Sequence, residues 1–358
     1  MKKLFNLIFA AIIGLTSCNN KTENGNASLA AIRATTAKKL NDYITKFQEP
    51  SQTFQVPTDK QSNISGKQGT IILINPEDLT TENGQPLGKT MEVELKELTN
   101  QNELLNSNAQ TVSDGRLLVS GGAYYLNVTS AGQQLKLKEG KSLKVKFPQV
   151  SNTEMALFYG QLDSIGHLSW KQANQIFKVP YSGNDTSIRG RNWRPRQARG
   201  GQISALIDYL GKDTSSNKMT KAENEKLQKE AKLEQKVYAE IDIKSFGWIN
   251  CDHFIETENK TDLYVKFDPA DSILAANVYL VFKDINSLMD AGYSGDSTQT
   301  AYGFGNIPVG YKVRLVAFTV KGEKVYSYSS DITIKEKQTM TLSLKETSEE
   351  DFKKLLKI

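Results

Sequence analysis

The chain has 358 residues, with 45 Lys and Arg, 40 Asp and Glu, two His, two Cys and a formal net charge of +5. At roughly 100–200 residues per domain, this length predicts about two domains, and 38% apolar residues are enough for packed cores. The small charge argues against a dedicated nucleic-acid binder, and a mean hydropathy of −0.46 excludes a polytopic membrane protein.

Residues 1–17 have the layout of a bacterial secretion signal. Lys2 and Lys3 form a positive start, and an apolar run covers residues 4–15. This run is shorter than the about 20 residues that span a bilayer, and it is typical of a signal peptide. It ends in the sequence LTSC at residues 15–18. This ending resembles the lipoprotein box, where small residues admit the signal peptidase and the cysteine thiol receives the lipid.

Cleavage before Cys18 leaves this cysteine as the first residue, carrying a diacylglycerol thioether and an N-acyl chain such as palmitate. Two or more chains anchor a protein durably, so the sequence predicts a lipid anchor at the cell outer membrane, facing the periplasm or the surface. The polar residues 18–27 are predicted to form a flexible tether. Cys251 then remains the one free thiol, which excludes an intramolecular disulfide. The alternative is an ordinary secretory signal with a chance cysteine.

A predicted helix follows the tether, and a predicted first β domain follows the helix. Residues 28–50 show a helical spacing of apolar residues, with Ser28 as N-cap and Pro50 as the stop. Residues 51–180 alternate between apolar and polar types, as in MEVEL at 91–95. Such alternation is typical of an antiparallel sheet with one buried face.

Residues 181–236 interrupt the alternation with an Arg-rich loop and a predicted linking helix. A capping box of Thr220 and Glu223 opens this helix. In the loop before it, guanidinium groups surround a Trp, a combination that binds phosphates and carboxylates. The alternative is a hydrated loop without a specific role. The candidate anion-binding residues are Arg189, Arg191, Trp193, Arg194, Arg196 and Arg199.

Residues 237–358 are predicted to form a second β domain. Six or more short alternating segments predict a β-sandwich. Ser348 and Asp351 match a capping box and predict a short C-terminal helix. The predicted fold class is therefore mainly β, with two antiparallel β-sandwich-like domains, an N-terminal helix, a linking helix and a short C-terminal helix.

Two sets of residues resemble known families. The stretch YGFGNIPVGY at 302–311, followed by alternating strands, resembles the edge of carboxypeptidase-regulatory-like, transthyretin-type sandwich modules. The stretch from 86–88 through 114–115, 120–122 and 140–148 is similar to β domains of Bacteroidota envelope proteins. Together with GWINCD at 247–252, the chain resembles uncharacterised envelope lipoproteins of that phylum. The shared residues are structural glycines and prolines, so the resemblance implies fold and location and transfers no catalytic residue.

Few residues have the type and spacing of a catalytic or metal site. Cys251 and His253 offer two ligands on one strand face, without a third. The loop 284–292 departs from an EF-hand, since Leu288 stands where an oxygen ligand is needed. Residues 292–296 lack the final glycine of a nucleophile elbow. The sequence therefore predicts no catalytic residue, no metal and no cofactor, although composition leaves room for the two carboxylates of a glycan hydrolase.

Three short segments resemble the Asp-Ser/Thr-apolar sequence that Bacteroidota modify by O-glycosylation. Those at Ser164 and Ser297 lie in predicted turns, whereas the one at Ser272 precedes a predicted strand. Ser164 and Ser297 are therefore the candidate glycosylation sites.

The sequence favours a non-enzymatic, lipid-anchored envelope protein that acts in binding or scaffolding. Its expected partners are the membrane, through the lipid, and an envelope protein or a glycan, with no nucleic acid. One alternative is a carboxylate-dependent, glycan-active hydrolase, which needs two acidic side chains about 5–10 Å apart in a cleft. Another is an anion-binding surface protein that uses the Arg-rich loop.

Overall fold

The computed structural model describes residues 20–151, 153–162, 168–178, 237–291 and 301–357, with side chains from residue 31 onward. It contains 53% strand and 14% helix, including several antiparallel sheets, an N-terminal helix and a short C-terminal helix. The predicted mainly β fold class is thereby confirmed. The predicted linking helix lies outside the described residues.

The first sheet contains nine strands. These strands are β1 (Gln52–Pro57), β4 (Leu79–Thr81), β5 (Thr90–Leu98), β6 (Val112–Ser113), β7 (Arg116–Ser130), β8 (Gln133–Leu137), β10 (Met155–Leu162), β11 (Leu168–Phe177) and β13 (Gly247–Phe254). The main path runs β1-β5-β7-β13-β10-β11, while β6 and β8 pair with β7, and β4 pairs with β8.

The second sheet has the order β12-β9-β3-β2, in which the strands are β2 (Ser62–Ser65), β3 (Ile71–Ile74), β9 (Leu143–Lys146) and β12 (Ile241–Ile243).

The third sheet has the order β17-β14-β20, in which the strands are β14 (Lys260–Phe267), β17 (Tyr302–Pro308) and β20 (Gln338–Leu342). Here β14 and β20 run parallel, unlike the predicted antiparallel arrangement. The fourth sheet has the order β16-β15-β18-β19-β21, in which the strands are β15 (Asn277–Phe282), β16 (Leu288–Asp290), β18 (Lys312–Lys321), β19 (Lys324–Thr333) and β21 (Lys345–Thr347).

Apolar cores lie between successive sheets of the described chain. Residues such as Ile72 and Leu126 fill the space between the first and second sheets. Leu280 and Phe304 belong to the core between the third and fourth sheets. The remaining faces of the first and fourth sheets share a core with the helices, to which Tyr279 contributes. The fourth sheet is therefore buried on both faces at β15, which explains why every residue of this strand is buried.

Strand pairing places the stretch 237–254 with the first β domain, which corrects the predicted boundary at residue 237. β12 pairs with β9 of the second sheet, and β13 lies between β7 and β10 of the first sheet. Alternation identifies a strand but not its partner, so sequence pattern could not assign these two strands. The first domain combines two separate stretches of chain, and the second begins at β14.

The helices bring the two ends of the described chain together. They are α1 (Asn20–Ile44), followed by a short turn at Thr45–Phe47, α2 (Gln101–Asn106) and α3 (Glu349–Leu355). Phe352 of α3 packs against Tyr43 and Phe47, with ring centroids 5.3 and 5.4 Å away. Ser348 caps α3 as predicted, since its Oγ accepts a hydrogen bond from the Asp351 backbone N–H.

The start of α1 at Asn20 corrects two predictions, the flexible tether at 18–27 and the helix start at Ser28. Leu40 and Ile44 are fully buried, so packing fixes the C-terminal part of α1. Once a helix is nucleated, each further turn costs little, and the helix extends into polar sequence. No helix among the described residues is long and apolar enough to cross a membrane.

Hydrogen bonds join the two domains at the loop 283–288. The Asn286 side-chain amide donates to the Ser120 carbonyl at 2.9 Å, and the Ser287 hydroxyl donates to the Leu118 carbonyl at 2.6 Å. Both acceptors belong to β7 of the first sheet, so the second domain is held directly against the central strand of the first.

Candidate functional site

The sequence-predicted site residues lie outside the described residues and stay predictions. They comprise the lipid-attachment residue, the Arg-rich loop and the two glycosylation candidates, namely Cys18, Arg189, Arg191, Trp193, Arg194, Arg196, Arg199, Ser164 and Ser297.

The site that the structure offers instead is a shallow cleft of about 430 Å³ on the outer face of the third sheet. We call it the Tyr264 cleft. Its lining residues are Lys260, Thr261, Asp262, Tyr264, Asn306, Lys337 and Thr339.

The alternating sequence of β14 explains why polar side chains gather in this cleft. Leu263 and Val265 are buried between the third and fourth sheets. Successive side chains of a strand point to opposite faces, so Lys260, Asp262 and Tyr264 lie on the exposed face. Tyr264 is 45% exposed, a large value for an aromatic residue in the middle of a three-stranded sheet.

Glycine on the neighbouring strand shapes the space around the Tyr264 ring. Gly303 of β17 stands directly opposite Tyr264, and Thr339 of β20 stands on its other side. A Cβ added to Gly303 would lie 3.2 Å from Tyr264 Cε1. The edge of the ring therefore rests against bare backbone, and a larger residue at 303 would push it away.

Two residues that line the Tyr264 cleft have left-handed backbone conformations, Asn306 with φ 56° and Lys337 with φ 49°. Such conformations cost non-glycine residues about 1 kcal/mol or more and tend to occur at ligand sites. Hydrogen bonds hold both in place. The Asn306 amide donates to the Gly115 carbonyl at 3.2 Å, and the Lys337 backbone N–H donates to Thr261 Oγ1 at 2.8 Å.

The charged groups of the Tyr264 cleft make no ion pair within the described part of the chain. The ion pairs found there involve other residues, such as Lys324 with Glu346 and Lys283 with Asp331. Lys260, Asp262 and Lys337 thus keep their charges available to a ligand.

A second polar cluster is buried where β7 meets β13. The register shifts between Asn250 and Asp252, which marks a β-bulge. The Asn250 amide donates to Asp252 Oδ2 at 2.6 Å, and Ser120 Oγ accepts from the Gly122 backbone N–H at 3.0 Å. A Cβ on Gly121 would lie only 2.7 Å from the Cys251 carbonyl oxygen, so this close approach requires glycine. Asp252 thus pairs with Ser120 across the bulge, while residues 247–250 pair with residues 123–126.

Asp252 in this buried cluster is fully inaccessible, and burial raises the pKa of its carboxyl well above the ordinary value. The polar neighbours Ser120 and Asn250 offset this effect only in part. Asp252 Oδ1 has no hydrogen-bond partner among the described residues. A fully buried cluster of this kind offers no access to a ligand.

Cys251 and His253, the two candidate metal ligands of the sequence, are buried to different degrees. Cys251 is buried in the core between the first two sheets, and burial raises the pKa of its thiol. His253 Nδ1 lies 3.3 Å from Met155 Sδ, and partial burial lowers the pKa of this histidine. Within the described ranges, no group of three or more His, Cys, Asp or Glu side chains is placed to hold a metal ion.

Two further clefts in the described part of the chain are each lined by a single carboxylate. One, of about 390 Å³, lies at the loop that joins the domains and contains Asp284. The other, of about 160 Å³, contains Asp78. The Tyr264 cleft likewise contains one, Asp262.

Sequence reasoning did not single out the residues of the Tyr264 cleft. From the sequence, Tyr264 is one exposed position of an ordinary alternating strand, and the glycines of the 302–311 stretch are predicted to be structural. The available signal was the combination of an outward-facing Tyr with glycine on a neighbouring strand, which becomes visible once β14 and β17 are known to pair.

A scan against protein-family models and a search of curated proteins both found no match to this chain.

Proposed function

We propose that the protein is a lipid-anchored envelope protein that binds a glycan in the Tyr264 cleft and does not cleave it. The observation that carries this proposal is an exposed aromatic ring in a cleft lined by polar side chains, in which the charged groups of both signs form no ion pair within the described ranges. The fold holds these groups on paired strands, so they are organised before a ligand arrives.

The chemistry of the Tyr264 cleft matches a sugar ring. A pyranose presents C–H groups on its faces and hydroxyl groups around its edge. An aromatic ring packs against the C–H groups, while Asp262 accepts hydrogen bonds from hydroxyls and Asn306 both donates and accepts them. An open cleft of this size also accommodates a chain that continues beyond it on either side.

Two features favour a glycan over the alternatives. A hydrolase of the usual type needs a pair of carboxylates, and each of the three described clefts has one. A stable protein interface takes about 20–30 residues a side, whereas seven residues line the Tyr264 cleft.

The proposed anchor places this binding activity at a membrane. Acylation of Cys18 attaches the chain to the outer membrane, and α1 begins only two residues later. The bound glycan is then held close to the envelope surface. The Arg-rich loop remains a separate proposal for anion binding, since it lies outside the described residues.

Affinity electrophoresis of the detergent-solubilised full-length protein tests this proposal. Gels carry a panel of neutral and acidic polysaccharides, and a parallel assay measures released reducing ends. We expect at least one polysaccharide to retard the wild type without cleavage, and Tyr264→Ala to weaken this binding about tenfold or more.

Tyr326→Ala is the matched control, because Tyr326 lies on the fourth sheet against Lys321, outside the Tyr264 cleft. It should bind like the wild type. Released reducing ends, equal retardation of Tyr264→Ala and wild type, or absence of retardation throughout the panel would each contradict the proposal.

A further inference from the structure

We infer that the Tyr264 cleft selects acidic polysaccharides, with a lysine pair that binds the carboxylate of a uronic acid next to the sugar that packs on Tyr264. This inference rests on the proposed function and names its class of ligand.

The first step is the position of the two lysines relative to the ring. In the parallel pairing of β14 with β20, Leu263 stands beside Gln338 and Tyr264 beside Thr339. Lys337 immediately precedes β20 and is bonded through its backbone to Thr261, so it lies at the same end of the cleft as Lys260. The aromatic platform and the positive charge therefore occupy neighbouring parts of one surface.

The second step is the distance that the cleft spans. Lys260 and Tyr264 are four residues apart on one strand, and at about 3.3 Å per residue their backbones are about 13 Å apart. Both side chains lie on the exposed face. A single sugar is shorter than this, so the ring and the lysines contact successive sugars of a chain.

The third step is charge. The outward face of β14 carries Lys260, Asp262, Tyr264 and Lys266, and Lys337 adds a third ammonium group from the neighbouring strand end. None of these lysines forms an ion pair within the described ranges. The lining of the cleft contains two of these lysines, Lys260 and Lys337, and one carboxylate. This excess of positive charge favours an anionic ligand, and Asp262 is left to accept hydrogen bonds from hydroxyls.

The test compares one sugar chain with and without its charge. The full-length detergent-solubilised protein is titrated with polygalacturonate oligomers and with the same oligomers as methyl esters. We expect the acid to bind about tenfold more tightly than the ester at low salt. This preference should shrink at high salt, because exposed charges are screened.

Substitutions separate the charge from the ring. In Lys260→Gln/Lys337→Gln, we expect the acid and the ester to bind with equal affinity, so that the preference for the acid is lost. Tyr264→Ala should weaken the binding of both. The matched control is Lys353→Gln/Lys357→Gln, which removes two lysines from the region of α3 and should keep the preference for the acid.

The outcomes distinguish this inference from the proposed function. If acid and ester bind equally, or if the lysine variant keeps the preference for the acid, the inference is overturned. Should Tyr264→Ala still lose binding in that case, glycan binding in the Tyr264 cleft stands. If the wild type binds neither oligomer nor any member of the polysaccharide panel, both proposals fail.

Discussion

The Tyr264 cleft and the buried cluster around Asp252 contain similar chemical groups in opposite surroundings. Each combines a carboxyl, an amide and a close approach to glycine. In the buried cluster, the Asn250 amide donates to Asp252 and both residues are inaccessible to solvent, whereas Asp262 and Asn306 of the cleft are exposed. Polar residues are therefore closed to a ligand at β13 and accessible to one at β14, although the two strands are neighbours in sequence.

The largest loss of stability is expected from the substitution Gly121→Ala. Its Cβ would meet the Cys251 carbonyl oxygen at 2.7 Å, and neither backbone can move without breaking the pairing of β7 with β13. We expect a loss of about 3 kcal/mol in the free energy of unfolding, measured by urea denaturation. Gly84→Ala is the control: it meets no atom within 4 Å and, with φ +69°, should cost only about 1 kcal/mol. Equal losses would contradict the close approach at Gly121.

Asp252→Asn should change how stability depends on pH. The pKa of Asp252 is raised in the folded protein, so the folded state binds this proton more tightly than the unfolded state. The contribution of Asp252 to stability is then fully present below the unfolded pKa of about 4 and is lost as the pH rises toward the folded pKa.

The neutral Asn cannot show this loss. We expect the stability of Asp252→Asn relative to the wild type to rise as the pH increases from about 4 to 7. Urea denaturation at several pH values measures it. A difference that stays constant with pH would show that Asp252 ionises normally.

The smallest effect on stability is expected in the cleft. Tyr264→Ala removes an exposed ring whose main neighbour is glycine, so the free energy of unfolding should fall by no more than about 1 kcal/mol. Together with lost glycan binding, this result would complete the contrast with Gly121→Ala. A loss of several kcal/mol would instead assign Tyr264 a structural role.

The sequence predicted the type of most elements but not their partners. Alternation identified β9 and β14 because one face of each strand is buried. β13 shows no such alternation, because its four central residues are all buried. Its insertion between β7 and β10 depends on pairing across more than 80 residues, which is set by packing. The cleft depends on such pairing, because Lys337, Asn306 and Tyr264 meet only when three distant strands form one sheet.

The long helix α1 has a mechanical consequence for an acylated chain. Its 25 residues measure about 37 Å at 1.5 Å per residue, and its far end is wedged among Phe47, Phe352 and the fourth sheet. With lipid on Cys18, the helix would act as a rigid spacer that sets the distance and the orientation of the two β domains relative to the bilayer. The Tyr264 cleft would then sample a narrower range of positions and orientations than it would on a flexible tether.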